Sequence, residues 1–431
     1  MASPVQAASA SAAPALSAGA EAAAPAAPGR MRWAILALLF ASTVLNYVDR
    51  QTLSILAPMV QKDLGMDDIG YAQVVQFFLI AYTIAYLLAG WLTDRLGTRL
   101  ALALFVGWWS LANMATGLVR SAGALGGARA MLGLGEAGNY TAGPKAISEH
   151  FPPQERGFAF GTYTAGAMVG ATIAPPLIGW LALTQGWRAA FVVTGALGFV
   201  WLAAWLAIYP RGKAGPTVTA EPTPWRAILR ERPLWGFALS RMLADPVWYF
   251  YLFWFPKYLS DERGLNLATI AATAWIVYLA ADLGSIGGGV FSGRLIRRGI
   301  DPARSRLIGL AVAAVLAPVG MAISTGPAIP LTFAIAAAVA FAHLVFQINL
   351  STLVVDLYPT RVVATVFGIV AAGSGLGGIF STQLVGRLAQ SGHYDQVFLL
   401  MGMLHPLAAL VAWLSLRSQP RSELRSPDQA D

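Results

Sequence analysis

Gly90–Arg99, with the sequence GWLTDRLGTR, is a short polar stretch between two long apolar segments. It overlaps the end of the apolar segment 73–93 and leads into the next one, 100–119. A charged side chain inside a bilayer costs roughly 2.5–3.5 kcal/mol, so the charges in this stretch belong at the ends of two membrane helices. A related copy, GVFSGR, occurs at Gly289–Arg294. The stretch therefore predicts a tight turn between membrane helices in a chain made of two related halves.

The composition is that of a polytopic membrane protein. Hydrophobic residues make up 57% of the chain, charged residues only 12%, and the mean hydropathy is +0.60, against roughly 25% charged residues in soluble domains. The absence of cysteine excludes disulfides, thiolate metal sites and cysteine nucleophiles. The four histidines show no metal-ligand spacing. We predict no metal, no cofactor and no enzymatic activity.

Twelve apolar segments follow one another, and we predict an all-α integral membrane protein with two six-helix bundles. The segments lie near 32–57, 73–93, 100–119, 124–148, 157–183, 187–209, 234–259, 268–292, 304–324, 328–354, 363–389 and 396–416. The predicted organisation is a disordered tail (1–29), a first bundle (30–209), a linker (210–233), a second bundle (234–416) and a C-terminal tail (417–431).

Loop charges predict the orientation in the membrane. With both termini cytoplasmic, the cytoplasmic loops and termini hold 19 Lys and Arg residues and the outside loops hold six. This excess satisfies the positive-inside rule, and the reverse orientation violates it. The net charge of +8 is thus explained by topology, and no nucleic-acid partner is predicted. Arginine outnumbers lysine by 25 to 4, as is common in GC-rich bacterial genes. We expect a multi-pass protein of a bacterial cytoplasmic membrane, for which a monomer suffices.

The two halves repeat each other at a constant offset of 207 residues. FPPQERGFAFG at 151–161 aligns with YPTRVVATVFG at 358–368, and four glycines of the following helix match as well. Such a duplication, with a binding site between the halves, is a known transporter plan. Small residues at this spacing also let helices pack closely, and both interpretations can hold together.

Gly90–Arg99 resembles the signature loop between helices 2 and 3 of the major facilitator superfamily. Further segments resemble the anion:cation symporter family of that superfamily: Asn46–Arg50, Arg129–Ala137, Phe151–Gly157 and Gly186–Arg188. Asp245–Leu259 and Ala281–Gly289 resemble its hexuronate branch. The resemblance extends from Met31 to Arg417. It implies proton-coupled uptake of organic anions, especially sugar acids such as glucuronate and galacturonate.

Asp49 and Arg50 interrupt the first apolar segment after sixteen uncharged residues. An acid and a base at this depth indicate a functional site. The alternative is a helix that ends at Val48, with the pair at the membrane interface. Arg50 presents a planar fork suited to a carboxylate, and the resemblance gives it the role of substrate anchor. Tyr47 shares its helix face. A purely structural Asp49–Arg50 pair is the other interpretation.

Asp49 and Glu136 are the predicted proton carriers. Burial favours the protonated carboxyl, whereas a nearby arginine favours the ionised one, and such opposed influences suit a coupling site. The resemblance assigns protonation to both residues. Glu136 lies seven residues after Arg129 on nearly the same helix face. From the residues alone, Glu136 could equally be a structural partner of Arg129.

Other polar residues carry weaker predictions. Tyr82 and Asn349 match family positions near the substrate, and Trp254 is expected to shape the cavity or simply pack. We predict structural or gating roles for a further group: Asp94, Arg95, Arg129, Asp282 and the pair Arg241/Asp245. Lys145 and Glu149 are predicted to form a surface pair. His343 and His405 read as structural groups.

Asp94 is expected to act in a gate, because the family's signature loop closes the cytoplasmic side through Asp–Arg contacts and a helix terminus. The second copy has Gly293 at the matching position, so this lock should be one-sided.

The sequence therefore predicts a twelve-helix alternating-access importer with a central anion site formed by segments 1, 2, 4, 5, 7, 8, 10 and 11. The predicted substrate is a sugar-acid monoanion such as a hexuronate. Alternatives are an aldonate or aldarate symporter, an efflux transporter of the same fold and a transport-inactive sensor. The sequence leaves open the particular sugar acid and the proton stoichiometry.

Overall fold

The computed structural model describes residues 29–211, 225–265 and 275–417, together with Thr269 and Thr273. The predicted N-terminal tail, most of the linker and most of the C-terminal tail lie outside the described residues. A five-residue helix, Trp225–Leu229, lies in the described part of the linker.

Twelve long helical segments make up the rest of the described chain. The first six are α1 (Met31–Leu64), α2 (Asp68–Leu96), α3 (Thr98–Thr116), α4 (Ala122–His150), α5 (Pro153–Gln185) and α6 (Trp187–Ile208). The second six are α7 (Arg232–Tyr249), α8 (Trp275–Arg297), α9 (Pro302–Leu316), α10 (Ile329–Leu357), α11 (Val363–Gln390) and α12 (Tyr394–Arg417).

Two of these segments change their helical type before they end. A π-helical turn, Phe250–Trp254, follows α7 and leads into a short α-helix, Phe255–Asp261. A 3₁₀-helix, Ala317–Thr325, continues α9. Nine helices among the described residues are long and apolar enough to cross a membrane. The broken seventh segment, the Trp-containing α3 and the glycine-rich α4 are not among them.

The first helix does not end at Val48. α1 continues through Arg50 to Leu64, and Gly65 then adopts a left-handed conformation with φ of 63°. An L-residue with a side chain rarely adopts this conformation, so glycine is the natural helix terminator here. The interpretation that places Asp49 and Arg50 beyond the helix end is wrong.

The two bundles pack their helices by the same scheme. In the first bundle α1 packs on α5 and α2 on α4, and in the second α7 packs on α11 and α8 on α10. Between the bundles α5 packs on α8 and α2 on α11, which are equivalent pairs under the same duplication. The predicted pseudo-symmetric pair of six-helix bundles is confirmed.

Three of the four repeated glycine pairs mark equivalent close approaches. A Cβ on Gly161 would lie 2.7 Å from the Ser285 carbonyl oxygen in α8, and one on Gly368 would lie 2.3 Å from the Tyr86 carbonyl oxygen in α2. The next two pairs repeat this between α5 and α1 and between α11 and α7, at Gly166, Gly170, Gly373 and Gly377. In the fourth pair, a Cβ on Gly179 would meet nothing within 4 Å, whereas Gly386 lies beside Trp254. The glycines thus permit backbone contact, both within and between bundles.

The bundles meet at one end of the molecule. We call the end that holds Met31 and Arg417 the terminus side. The hydrogen bonds that join the bundles lie in the terminus-side half, from Asp94–Thr365 at the end of the helices to Thr164–Ser285 nearer the middle. The closest backbone approach there joins Gly157 and Gly289, where a Cβ on Gly289 would lie 2.1 Å from the Gly157 carbonyl oxygen. This side of the molecule is closed.

A side chain at Gly289 should force the terminus side apart. We expect Gly289→Val to raise the rate of maleimide labelling of a Ser285→Cys reporter by roughly tenfold, because overpacking costs about 1–3 kcal/mol. Ser285 is only 1% exposed, and the chain has no native cysteine to interfere. Gly179→Val is the matched control on α5, since a Cβ there meets nothing. If Ser285→Cys is labelled at the same rate with and without Gly289→Val, the Gly157–Gly289 contact does not hold the terminus side closed.

Candidate functional site

Arg50 and Glu136 form the centre of the candidate site. Arg50 donates from Nη2 and Nε to one carboxylate oxygen of Glu136, at 2.8 and 3.0 Å. The Glu136 side chain is fully buried, whereas 28% of the Arg50 side chain is exposed. A longer contact of 3.4 Å joins Arg50 to the side-chain oxygen of Asn46. The cation therefore faces an accessible space while its counter-charge lies behind it.

Three aromatic rings surround the Arg50 guanidinium. Its central carbon lies 4.7 Å from the ring centre of Tyr82 and 5.2 Å from those of Tyr47 and Phe78. Ring faces attract a cation and exclude water from its sides, which strengthens its remaining interactions. The structure thus brings together Arg50, Tyr47 and Tyr82, three of the predicted substrate-binding residues, and Glu136, a predicted proton carrier.

Glycines in α4 bring Glu136 to this position. A Cβ on Gly133 would lie 2.7 Å from the Phe78 carbonyl oxygen of α2. Gly135 and Gly138 make similar approaches to Trp109 and Phe105 of α3. Because these neighbours touch the α4 backbone directly, the fully buried Glu136 is held between helices while it reaches Arg50 in α1.

Arg129 bonds to the backbone of α1 and does not form an ion pair with Glu136. Its Nη2 donates to the backbone oxygen of Arg50 at 3.4 Å, and its guanidinium lies 5.3 Å from the ring centre of Phe78. Glu136 makes its ion pair with Arg50. The alternative interpretation, a structural ion pair between Arg129 and Glu136, is therefore wrong.

Asp49 points away from Arg50, into the contact between α1, α3 and α6. It is 1% exposed and accepts a hydrogen bond of 2.6 Å from the Asn113 side chain. The interpretation of Asp49 and Arg50 as a structural charge pair is therefore wrong. The two candidate proton carriers lie in different surroundings, one beside an arginine and one beside an amide.

The second bundle contributes polar groups through Tyr140. The Tyr140 hydroxyl accepts hydrogen bonds from Arg241 of α7 and Gln347 of α10, each at 3.2 Å. Arg241 also forms an ion pair of 2.9 Å with Asp245, in agreement with the predicted pairing. Gln347 was not among the site residues predicted from the sequence. Its only signal was a second amide two residues before Asn349 in an apolar helix.

Tyrosines connect these two groups. Tyr86 donates to the Tyr82 hydroxyl at 2.8 Å, and the rings of Tyr86 and Tyr140 lie 5.7 Å apart. A continuous surface of phenol groups thus runs from the Arg50 cluster to the second bundle. Such a surface offers hydroxyls that can donate to or accept from a polyhydroxylated ligand.

Two residues predicted to bind substrate lie elsewhere in this conformation. Asn349 is fully buried, donates to the Val345 and Gly288 backbone oxygens, and packs against Gly309. Trp254 lies beside Gly386 in the part of α11 far from the terminus side. Neither joins the Arg50 cluster. The roles assigned to them, and to the half-buried Asp282, stay predictions.

The two membrane histidines contact each other. His343 Nδ1 and His405 Nε2 lie 3.2 Å apart, and the His343 ring stacks on Trp248. No group of three or more potential metal ligands occurs among the described residues. These contacts are consistent with a structural role for both histidines.

Asp94 closes the terminus side, but its partners differ from those predicted. It accepts from the backbone N–H of Thr365 at 2.7 Å and from the Thr365 hydroxyl at 2.6 Å, at the first turn of α11. Its ion pair is with Lys145, at 2.8 Å. Arg95 instead lies over the Trp91 ring. The expected Asp–Arg contact is wrong, whereas the helix-terminus contact is present.

Lys145 is therefore no surface residue. It is 5% exposed, and Glu149 binds Thr98 and Tyr209. The predicted Lys145–Glu149 surface pair is wrong, because α2 packs closely on α4 and brings Asp94 within reach of the amine.

A second charged cluster joins the bundles and was not predicted. Asp356 of α10 accepts from Arg156 of α5 at 2.9 Å and from Arg306 of α9 at 3.0 Å. Arg306 is fully buried and also donates to the Pro153 backbone oxygen of the first bundle. In the sequence, the only indication of this cluster was that Arg156 and Arg306 lie beside or within apolar segments.

Comparisons with known proteins agree with this architecture. Residues 39–382 match the profile of the Major Facilitator Superfamily. The chain is 34% identical over 424 residues to the hexuronate transporter of Escherichia coli K12, covering 93% of this chain and 98% of that protein. It is 36% identical over 279 residues to the galacturonate transporter of Dickeya chrysanthemi, covering 60% and 81%. The resemblance inferred from the motifs is confirmed.

Solved structures show the same fold at low sequence identity. The transporter FucP in an outward conformation matches with a TM-score of 0.67 at 15% identity, over 91% of this chain and 100% of that one. The proton:xylose symporter XylE matches with a TM-score of 0.67 at 15% identity, over 92% and 98%. These similarities describe the arrangement of helices.

Proposed function

Because this chain belongs to the Major Facilitator Superfamily, we propose that it imports a sugar-acid monoanion of the hexuronate class together with protons. It does so by alternating access, in a bacterial cytoplasmic membrane with both termini inside. Relatives named as hexuronate, galacturonate and D-galactonate transporters support the substrate class.

The observation that carries the proposal is the Arg50–Glu136 pair. Arg50 is partly exposed within an aromatic cage, and its one anionic partner among the described residues is the fully buried Glu136. A substrate carboxylate and the Glu136 carboxylate therefore compete for one guanidinium. Protonation of Glu136 removes its negative charge and leaves Arg50 to the substrate. By linkage, substrate binding equally favours protonation.

The sugar hydroxyls would bind along the tyrosine surface. Tyr47 and Tyr82 lie beside Arg50, and Tyr140 lies where the second bundle presents Arg241 and Gln347. A ligand that bridges Arg50 and this group contacts both bundles. Such contact lets binding energy drive the closure of one bundle on the other.

The charges of the site favour a monoanion over a dianion. Arg241, the cation contributed by the second bundle, is already neutralised by Asp245 at 2.9 Å. A second substrate carboxylate placed there would face that acid as well. We therefore expect aldarates, which are dianions, to be poorer substrates than hexuronates and aldonates.

The conformation fits one step of such a cycle. The bundles meet on the terminus side, through Asp94 and the Gly157–Gly289 contact. With the termini in the cytoplasm, as the loop charges predict, this state is closed to the cytoplasm. Opening that side after closure at the other end would deliver the substrate inward.

Counterflow in proteoliposomes tests the substrate class. Protein is reconstituted with unlabelled glucuronate, galacturonate, galactonate, glucarate or a non-carboxylate hexose inside, and the uptake of a labelled monocarboxylate from outside is measured. We expect exchange with at least one hexuronate and none with the hexose. Exchange of the neutral sugar alone, or of none of the acids, would contradict the proposal.

Glu136→Gln should separate exchange from proton coupling. Glutamine imitates the protonated acid, so Arg50 stays free for substrate and counterflow should persist. Accumulation driven by an imposed proton gradient should fall to the level of passive equilibration. Glu149→Gln on the same helix is the control, because Glu149 lies near the terminus-side end, bound to Thr98 and Tyr209. Wild-type accumulation by Glu136→Gln would remove Glu136 from the coupling mechanism.

A further inference from the structure

Asp49 lies in a polar cluster of its own, formed by three helices of the first bundle. Asn113 of α3 donates from Nδ2 to Asp49 Oδ1 at 2.6 Å. The same nitrogen lies 2.9 Å from the Thr194 hydroxyl and 3.3 Å from the Phe191 backbone oxygen, both on α6. Asn113 is fully buried, and Asp49 and Thr194 are each 1% exposed. The cluster is thus buried from solvent.

Donors and acceptors are not matched in number within this cluster. Three acceptors surround Asn113 Nδ2, which carries only two hydrogens. The amide oxygen of Asn113 and the second carboxylate oxygen of Asp49 have no hydrogen-bond partner among the described residues. An ionised Asp49 is therefore held by one amide donor, Asn113, with the Thr194 hydroxyl close by. A buried carboxylate is ordinarily stabilised by more donors than this.

Charged groups near Asp49 do not replace those donors. Arg129 and Glu136 of α4 act on it with opposite sign, and Arg50 of its own helix is bound to Glu136. No ion pair includes Asp49 among the described residues. The remaining neighbours α2, α3, α5 and α6 carry their acidic and basic residues near the helix ends, and Tyr71, Tyr82, Tyr86 and Tyr163 are the other ionisable groups on them.

We propose that Asn113 is a positioning residue whose side-chain amide reverses when Asp49 gains or loses its proton. The inference rests on the role of Asp49 as a proton carrier in the proposed function. In the ionised state the Asn113 N–H donates to the carboxylate. In the protonated state the Asp49 O–H donates to the Asn113 oxygen, which then occupies the same place.

The distances from Asn113 to Asp49 and Thr194 suit both orientations. A separation of 2.6 Å is common for an O–H donor and an oxygen acceptor. Thr194 can accept from the amide N–H in one orientation and donate its own hydroxyl to the amide oxygen in the other, 2.9 Å away. Its hydroxyl therefore satisfies either state without movement of the backbone. The protonation state of Asp49 thus sets the orientation of the Asn113 amide on α3 and of the Thr194 hydroxyl on α6.

Removing the amide should hold the proton on Asp49. Because Asn113→Leu deletes the amide donor to the ionised form, that form becomes less stable and Asp49 stays protonated to higher pH. We expect the alkaline limb of proton-driven uptake to move upward by about one pH unit. Counterflow at constant pH should persist, because it needs no net release of protons.

Thr116→Val is the matched control for Asn113→Leu. Thr116 is fully buried on the same helix, but its hydroxyl donates to the Ala112 backbone oxygen and to no other group in the described part of the chain. Its pH profile should match the wild type. Asn113→Ala is a second test that also lacks the amide but adds no bulk, and it should shift the profile in the same direction as Asn113→Leu.

Variants of Asp49 separate the two levels of the proposal. Asp49→Asn should lose proton-driven accumulation and keep counterflow, and adding Asn113→Leu to it should leave the pH profile of that counterflow unchanged. If Asp49→Asn fails to accumulate while both Asn113 variants keep the wild-type profile, the role of Asn113 is refuted alone. If Asp49→Asn accumulates as the wild type does, the proton-carrier role of Asp49 falls, and the inference with it.

Discussion

Arg50→Ala should reduce substrate exchange by roughly 100-fold, the largest functional effect that we expect from a single change. A charge-assisted hydrogen bond to a buried partner contributes about 1.5–3 kcal/mol, and 2.7 kcal/mol corresponds to about a 100-fold change in affinity. The substitution also leaves Glu136 without its one ion-pair partner in the described structure. Counterflow with a labelled hexuronate measures the effect.

The physical reason is the geometry of the cage. Tyr47, Phe78 and Tyr82 surround a planar guanidinium, and its accessible N–H groups can donate two parallel hydrogen bonds to a carboxylate. Lysine has one compact ammonium and cannot donate along two parallel bonds. Arg50→Lys should therefore recover only a small part of the exchange.

The control for Arg50→Ala is Arg387→Ala, which removes an exposed arginine of α11. It should exchange substrate as the wild type does. If Arg50→Ala exchanges equally well after verified insertion in the membrane, Arg50 is not the carboxylate anchor.

Asp356→Asn should cause the largest loss of stability. Asp356 accepts from Arg156 across the bundle interface and from the fully buried Arg306. Removing one partner of a buried ion pair leaves an uncompensated charge, at a cost of about 3–5 kcal/mol. We expect a markedly lower unfolding temperature in detergent, followed through the intrinsic tryptophan fluorescence.

Asp63→Asn is the matched control for this change. Its ion pair with Arg188 leaves more than two fifths of each side chain exposed, and exposed pairs contribute only about 0–1 kcal/mol. Its unfolding temperature should stay close to that of the wild type. An equal, small change for both variants would show that the Asp356 cluster contributes no more than a surface pair.

Much of the fold could be predicted from local sequence features. Apolar segments set the number of helices, and the repeated glycines of α5 and α11 identified the duplication. Gly161 and Gly368 indeed make equivalent approaches to the opposite bundle. Helix limits were less accurate: α5 begins at Pro153 although its apolar character starts near residue 157.

The site could be predicted only in part. Spacing on α1 placed Tyr47 and Arg50 on one face, and the family resemblance singled out Glu136 and Tyr82. The ion-pair partner of Arg50 could not be derived in this way, because it lies 86 residues away on another helix. Nor could the amide partner of Asp49, which is one asparagine in the apolar α3.

The sequence by itself determined a duplicated twelve-helix membrane protein with an acid and a base inside its first helix. These features follow from the cost of placing charge in hydrocarbon and from helical periodicity, which are local properties. Only the tertiary structure decided that Arg50 pairs with Glu136, that Asp49 faces Asn113, and that Asp94 binds Lys145. Periodicity gives the face of a helix on which a side chain lies, but the packing of neighbouring helices decides which group it meets there.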